Sequence, residues 1–210
     1  MRYLLIVSAI LFLTAGIAQT AFVIFQPDGP ASKDASISQA NPDYQYGNVN
    51  YMAFGYDTGY WAMLIRFNDL DGFLFFEDIL YAELNIYCYE WWDDLSDNNY
   101  VIRISENWAE NTVTWNNRPD LNWDMHVYFD APPSDSWLTL DVTDIVESWL
   151  LGFYPDYGFY ISNFNASPGG RECWSGEYVT YPGLRPKLYI SYIATNTTPA
   201  SLGEVKVLFN

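Results

Sequence analysis

"AELNIYCYEW", residues 82–91, sets Ala82, Leu84, Ile86 and Cys88 on one side of an extended chain and Glu83, Asn85, Tyr87 and Tyr89 on the other. Alternation with period two marks a half-buried β-strand, because successive side chains leave a pleated backbone in opposite directions. "AMLIRFN" (62–68), "YVIRIS" (100–105), "GFYISNF" (158–164) and "PKLYISYI" (186–193) behave alike. Between these runs stand clusters of Gly, Pro, Asn and Asp, such as "PDGP" (27–30), "NPDYQYGN" (41–48), "DDLSDNN" (93–99) and "SPGG" (167–170). Such clusters make turns. Many short strands at this spacing predict an all-β chain folded as a β-sandwich rather than alternating strands and helices.

One segment departs from that rhythm. In "DVTDIVESWLLG" (141–152), Val142, Ile145, Val146, Trp149 and Leu150 recur at the spacing of a single helical stripe. Asp141 suits the N-cap, Asp144 and Glu147 suit the positive end of the helix dipole, and Gly152 suits the C′ position. The spacing predicts one short helix, closing an end of the sandwich with Trp149 turned inward.

The first eighteen residues bear on the compartment. Arg2 is followed by an apolar run from Leu4 to Leu13 and by small residues at Gly16 and Ala18. That is the pattern of a secretory signal peptide over residues 1–18, too short in its apolar part to span a bilayer. Cleavage is expected after Ala18, with Ala21 as the second choice. The mature chain is then secreted, extracellular or at the cell surface, with a β-sandwich domain over 22–194 and a polar spacer and tail over 195–210.

Composition narrows the partners. The chain carries 9 basic and 26 acidic residues for a net charge of −17, and losing Arg2 leaves 8 against 26, or −18. Nucleic acid and anionic membranes both demand basic patches, so neither is expected as a partner. Aromatic residues make up 19% of the chain, which is the raw material for stacking on sugars. Two cysteines, Cys88 and Cys173, form a disulfide if their strands are neighbours and otherwise remain buried thiols. The only histidine is His126, which disfavours zinc sites and Ser–His or Cys–His nucleophiles. The expectation is a chain that is not an enzyme, with no catalytic residues.

"ENWAENTVTWNNRPD" (106–120) places Trp108 and Trp115 inside a strongly polar stretch. Either the indoles pin a loop to a core or they present flat faces to a ligand. Glu110, Thr112 and Thr114 can satisfy backbone groups of a folded corner, and Pro119 sets its exit, which favours the pinned reading. On that reading Trp115→Ala costs about 3–5 kcal/mol. Recognition would then fall to exposed rings beside short polar side chains. Three loops offer them: Tyr56, Tyr60 and Trp61; Trp91 and Trp92 with Asp93; and Trp123 with Asp124. Adjacent strand residues face opposite ways, so only one of Trp91 and Trp92 should meet solvent. Calcium is the one cofactor these loops suggest. Asp28, Asp34, Asp69, Asp71, Asp93, Asp94 and Asp97 lie in or beside turns, and carboxylates suit a hard cation, although none has EF-hand spacing. Asp28 and Asp34 head that set.

The corner resembles a known family. "WAENTVTWNNRP" is similar to the W-x-E-x-T-x-T-W-x-N-x-P hallmark of the DNRLRE (disaggregatase-related) domain, which overlaps carbohydrate-binding module family 96. "KDASI", "MLIRFNDL", "LYAELNIY", "WLTLDVTDIVESWLLG" and "CWSGEY...RPKLYISY" resemble its other segments in the same order. The resemblance implies a jelly-roll-like antiparallel β-sandwich of extracellular and cell-surface proteins, with sugar binding, including alginate binding, attributed to some members. It makes Trp108, Glu110, Thr112, Thr114, Trp115, Pro119, Asp141 and Trp149 structural motif residues. Two functions follow as expectations: a non-catalytic carbohydrate-binding module, or a structural subunit of a surface layer or filament assembled through the tail. The strong negative charge points to a neutral or cationic polysaccharide rather than a polyanionic one. In the second case the partners would be other copies of the chain or surface proteins.

Overall fold

A computed structural model describes residues 19–26, 32–68, 70, 78–95, 97–194 and 206–208. The expected signal peptide, Asp28, Asp69, Asp71 and most of the tail lie outside the described residues. Among the described residues twelve strands form one curled sheet: β1 (Gln19–Phe25), β2 (Ser32–Ser38), β3 (Tyr51–Tyr56), β4 (Tyr60–Phe67), β5 (Asp78–Trp92), β6 (Asn99–Ile104), β7 (Leu121–Phe129), β8 (Ser136–Asp141), β9 (Phe159–Asn163), β10 (Gly169–Trp174), β11 (Lys187–Ala194) and β12 (Lys206–Leu208). The path runs β12-β1-β11-β5-β10-β3-β4-β9-β6-β7, with β2 added to β4 and β8 to β5. Every pairing is antiparallel except that of β12, which lies parallel to β1 at Val23–Phe25. The architecture is the all-β, sandwich-like one expected, with a single α-helix among the described residues.

β5 is the long strand at which the sheet branches. It pairs with β11 over Asp78–Asn85, with β8 over Glu83–Cys88 and with β10 over Cys88–Trp92. Its Ala82, Leu84, Ile86 and Cys88 are fully buried in the main core, as their alternation requires. β4 behaves differently. Met63 and Ile65 enter the main core, while Ala62 and Leu64 enter a second apolar cluster on the opposite face. That is why "AMLI" reads as a continuous apolar run: both faces of this strand are covered.

The helix α1 spans Thr143–Leu150, and Val142, Ile145, Val146 and Trp149 are buried in the main core. The Trp149 ring meets Phe159 at 4.8 Å. The N-cap is Val142 rather than Asp141. Asp141 sits one residue earlier because it still belongs to β8, paired with Glu83. From there its Oδ1 accepts from the Thr143 backbone N–H at 3.1 Å and the Thr143 hydroxyl at 2.6 Å. Gly152 takes φ +72 just past the helix, the left-handed conformation in which a C′ glycine carries no steric cost.

Candidate functional site

Residues 105–120 fold as a lid over the outer face of β2, β4, β9 and β6. Beneath it Trp108, Val113, Ile102, Ile104, Leu64, Ile37 and Tyr160 make the second cluster. Trp108 is 6% exposed, and its indole N–H donates to the Tyr157 carbonyl at 2.8 Å. Asn117 Oδ1 accepts from the Thr114 backbone N–H and hydroxyl, while Asn117 Nδ2 donates to the Thr112 carbonyl. Glu110 Oε1 accepts from the Asp34 backbone N–H at 2.8 Å, tying the lid to β2. Pro119 is buried at the exit.

Trp115 differs from Trp108. It is half-buried, lies parallel to the Tyr60 ring at 6.4 Å, and carries the Arg118 guanidinium 4.5 Å above it. It packs at the rim of the second cluster rather than inside it. The two tryptophans of the motif therefore divide the work: Trp108 plugs the lid, and Trp115 seals its margin.

The second cluster reaches only the start of β7, at Leu121. On the uncovered part of the same outer face, Tyr100, Trp123, His126, Tyr128 and Phe164 gather into an aromatic surface. Trp123 is 47%, Tyr128 49% and Phe164 38% exposed. Tyr100 stands at the centre, 5.8 Å from Trp123, 5.5 Å from His126, 5.7 Å from Tyr128 and 5.9 Å from Phe164. Trp123 and Phe164 meet at 4.9 Å. A register shift builds the surface. Asn122 pairs with Arg103 and His126 with Ile102, so the chain between them bulges and re-aims its side chains. His126 Nδ1 lies 2.7 Å from the Trp123 carbonyl and holds the bulge closed.

Carboxylates rim this surface. Desolvation first, and then Asp97 and Asp130, hold the Tyr128 phenol above its ordinary range, so it stays a neutral hydroxyl at physiological pH. At the free edge of β7 a cleft of about 520 Å³ opens toward α1. Met125 and Val127 line its β7 wall, and Asp124, Asp141, Asp144 and Glu147 supply negative charge. Among the described residues β7 pairs only with β6, so this edge is unoccupied by another strand.

The other candidates suggested by the sequence lie apart. Tyr56, Tyr60 and Trp61 surround the β3–β4 hairpin, half-buried, with Tyr60 on Trp115 and Trp61 on Tyr46 at 5.1 Å. Trp91 is 50% exposed with the Arg171 guanidinium 5.8 Å from its ring, while Trp92 covers Gly170 and is half-buried. Asp93 is exposed beside them. Of these candidates only Trp123 joins the aromatic surface; Asp124, next to it on β7, lines the cleft toward α1. Tyr100, His126, Tyr128 and Phe164 were not foreseen, because their convergence depends on strand order and on the bulge. A Cβ at Gly170 would stand 1.9 Å from the Trp92 ring. Gly170→Ala is therefore expected to displace that indole and cost about 1–3 kcal/mol in chemical denaturation.

Among the described residues no group of three or more His, Cys, Asp or Glu side chains could by itself hold a metal ion, and no helix is long and apolar enough to cross a membrane. Cys88 and Cys173 are buried free thiols 2.6 Å apart, directly opposite one another on β5 and β10.

A β-sandwich whose outer face is half lidded and half left as bare aromatic rings has the form of a binding module. The sequence model of carbohydrate-binding module family 96 matches residues 28–190. The chain belongs to that family. No curated protein sequence matches it.

Proposed function

We propose that this chain is a secreted, non-catalytic carbohydrate-binding module that holds a neutral or amine-bearing glycan across Trp123, Tyr128 and Phe164. The observation that carries the reading is the cluster of three large aromatic side chains left substantially bare around Tyr100. Sugar rings expose C–H faces that pack on such rings, and the Tyr128 hydroxyl offers a hydrogen-bonding group to sugar hydroxyls beside them. Polyuronates are disfavoured by the carboxylates of Asp97 and Asp130, which act on Tyr128 in the same surface. Export fits the N-terminal strand: cleavage after Ala18 keeps β1 whole, whereas cleavage after Ala21 removes three residues that pair with Tyr192, Ile193 and Ala194.

Electrophoresis through gels containing neutral or acidic polysaccharide tests the ligand class. Retardation in at least one neutral or amino-sugar polymer is expected, with none in alginate when chelator is present. Stronger retardation in alginate under chelator than in every neutral gel would overturn the assignment.

A further inference from the structure

The sheet is left open beside β7. On the β6 side the Ser105 N–H donates to the Asp120 carbonyl just before β7. The Ile104 N–H instead donates to the Gly158 carbonyl just before β9, and the Asn98 carbonyl accepts from the Phe164 N–H just past it. Odd-numbered residues of β6 therefore bond toward β7 and even-numbered ones toward β9, as an antiparallel strand alternates. Tyr128 stands opposite Tyr100 and His126 opposite Ile102. The backbone N–H and C=O of both thus point away from β6, to an edge where no strand meets them among the described residues. Beside that edge lies the cleft toward α1. Met125 and Val127 pack against the main core from β7 but are only partly covered, and both line the cleft. Leu151 and Phe153, just past α1, line it too and are 51% and 71% exposed.

We infer that this cleft docks an extended, lysine- or arginine-bearing segment of a partner protein, added as a strand to the free edge of β7. The main-chain groups of His126 and Tyr128 supply the pairing, as in other cases of strand addition to an unpaired edge. Alternate side chains of the guest turn toward the cleft, where Met125, Val127 and Ile145 offer apolar contact. The rest of the lining decides the charge of the guest. Asp124, Asp141, Asp144 and Glu147 contribute carboxylates, and no Lys or Arg stands among the described residues that line the cleft. A basic segment offsets that charge, whereas an acidic one is repelled. A second copy of this chain is disfavoured on the same ground, since each copy carries a net charge of −17. Met125 and Val127 lie on the core side of β7, away from the face that carries Trp123, Tyr128 and Phe164. The docking edge therefore stands independently of the glycan-binding reading.

The test is calorimetric titration of the full chain with an end-capped Lys-Val-Lys-Val-Lys-Val-Lys peptide. Two controls accompany it: the Glu-Val counterpart, and a Lys-Val analogue with every amide N-methylated, which keeps the charge but removes the donors a strand needs. The first peptide is expected to bind one per chain, and each control about tenfold more weakly or worse. Asp144→Asn combined with Glu147→Gln is expected to weaken the first peptide by about tenfold. Amide hydrogen exchange of the parent chain decides the matter if that variant fails to fold: the His126 and Tyr128 amides are expected to exchange more slowly once the peptide is bound. No binding of the Lys-Val peptide overturns the inference, and so does equal binding of its N-methylated analogue. Unchanged affinity in the folded double variant, or unchanged exchange at His126 and Tyr128, overturns it as well. A glucosamine oligomer that binds where the peptide does not, and loses affinity in the double variant, would give the cleft to a glycan instead.

Discussion

Replacing Trp108 with alanine is expected to destabilise the fold by about 3–5 kcal/mol, the range for removing a large buried aromatic side chain. The indole is nearly inaccessible, fills the centre of the second cluster and donates to the Tyr157 carbonyl. Its loss leaves a cavity under the lid and a buried carbonyl without a donor, and the surrounding strands are paired and cannot collapse into the gap. Trp115→Ala should cost less, about 1–3 kcal/mol, because that ring is half-buried and its contacts with Tyr60 and Arg118 are at the rim. The cost of about 3–5 kcal/mol expected for Trp115→Ala when both indoles are read as pinned is thus lowered, because Trp115 is half-buried. Urea denaturation of both variants checks it: Trp115→Ala falling further than Trp108→Ala would mean the lid is anchored at its margin.

Joining Cys88 to Cys173 is expected to have an effect of similar size. The two side chains face each other on neighbouring antiparallel strands and are sealed in the main core. Oxidation would transfer two electrons and two protons to an acceptor disulfide and close a loop across 85 positions of the chain. On the chain-entropy account such a loop stabilises the fold by about 4–5 kcal/mol. Intact-mass measurement should show the protein purified from an oxidising compartment lighter by two hydrogens than its reduced form, and reduction in denaturant should lower the midpoint of refolded material. A reduced protein with an unchanged denaturation midpoint would assign the pair to simple packing. Burial raises the Cys173 thiol well above its ordinary range, so the reduced pair should resist alkylation in the native state.

Much of the architecture was legible because it rests on local periodicity. The alternation of 82–91, the stripe through Val142, Ile145, Val146 and Trp149, and the polar corner with its tryptophans each reflect one element's own faces. What local periodicity cannot carry is which face of which strand meets which other. β4 shows this: its run of apolar residues records two separate apolar clusters, and the second exists only because the lid folds back over β2, β4, β9 and β6. The aromatic surface shows it again. Tyr100, Trp123, Tyr128 and Phe164 come from β6, β7 and the end of β9, and they meet only through the order β9-β6-β7 and the bulge after Asn122. Asp34 meets Glu177 although Glu177 stands in "CWSGEY", which resembled a closing strand and offered no other signal. The helix start shifted by one residue because strand pairing with Glu83 held Asp141 in β8.

The division of the outer face into a lidded half and a bare half is the claim on which the functional reading stands. Isothermal titration of one neutral oligosaccharide that retards the parent chain, against Trp123→Ala and Trp91→Ala, tests it most directly. Both rings are about equally exposed, so area alone does not choose between them. Trp123→Ala is expected to weaken binding tenfold or more, about 1.4 kcal/mol or above, while Trp91→Ala binds as the parent does. Affinity lost with Trp91 and kept with Trp123 would contradict the claim.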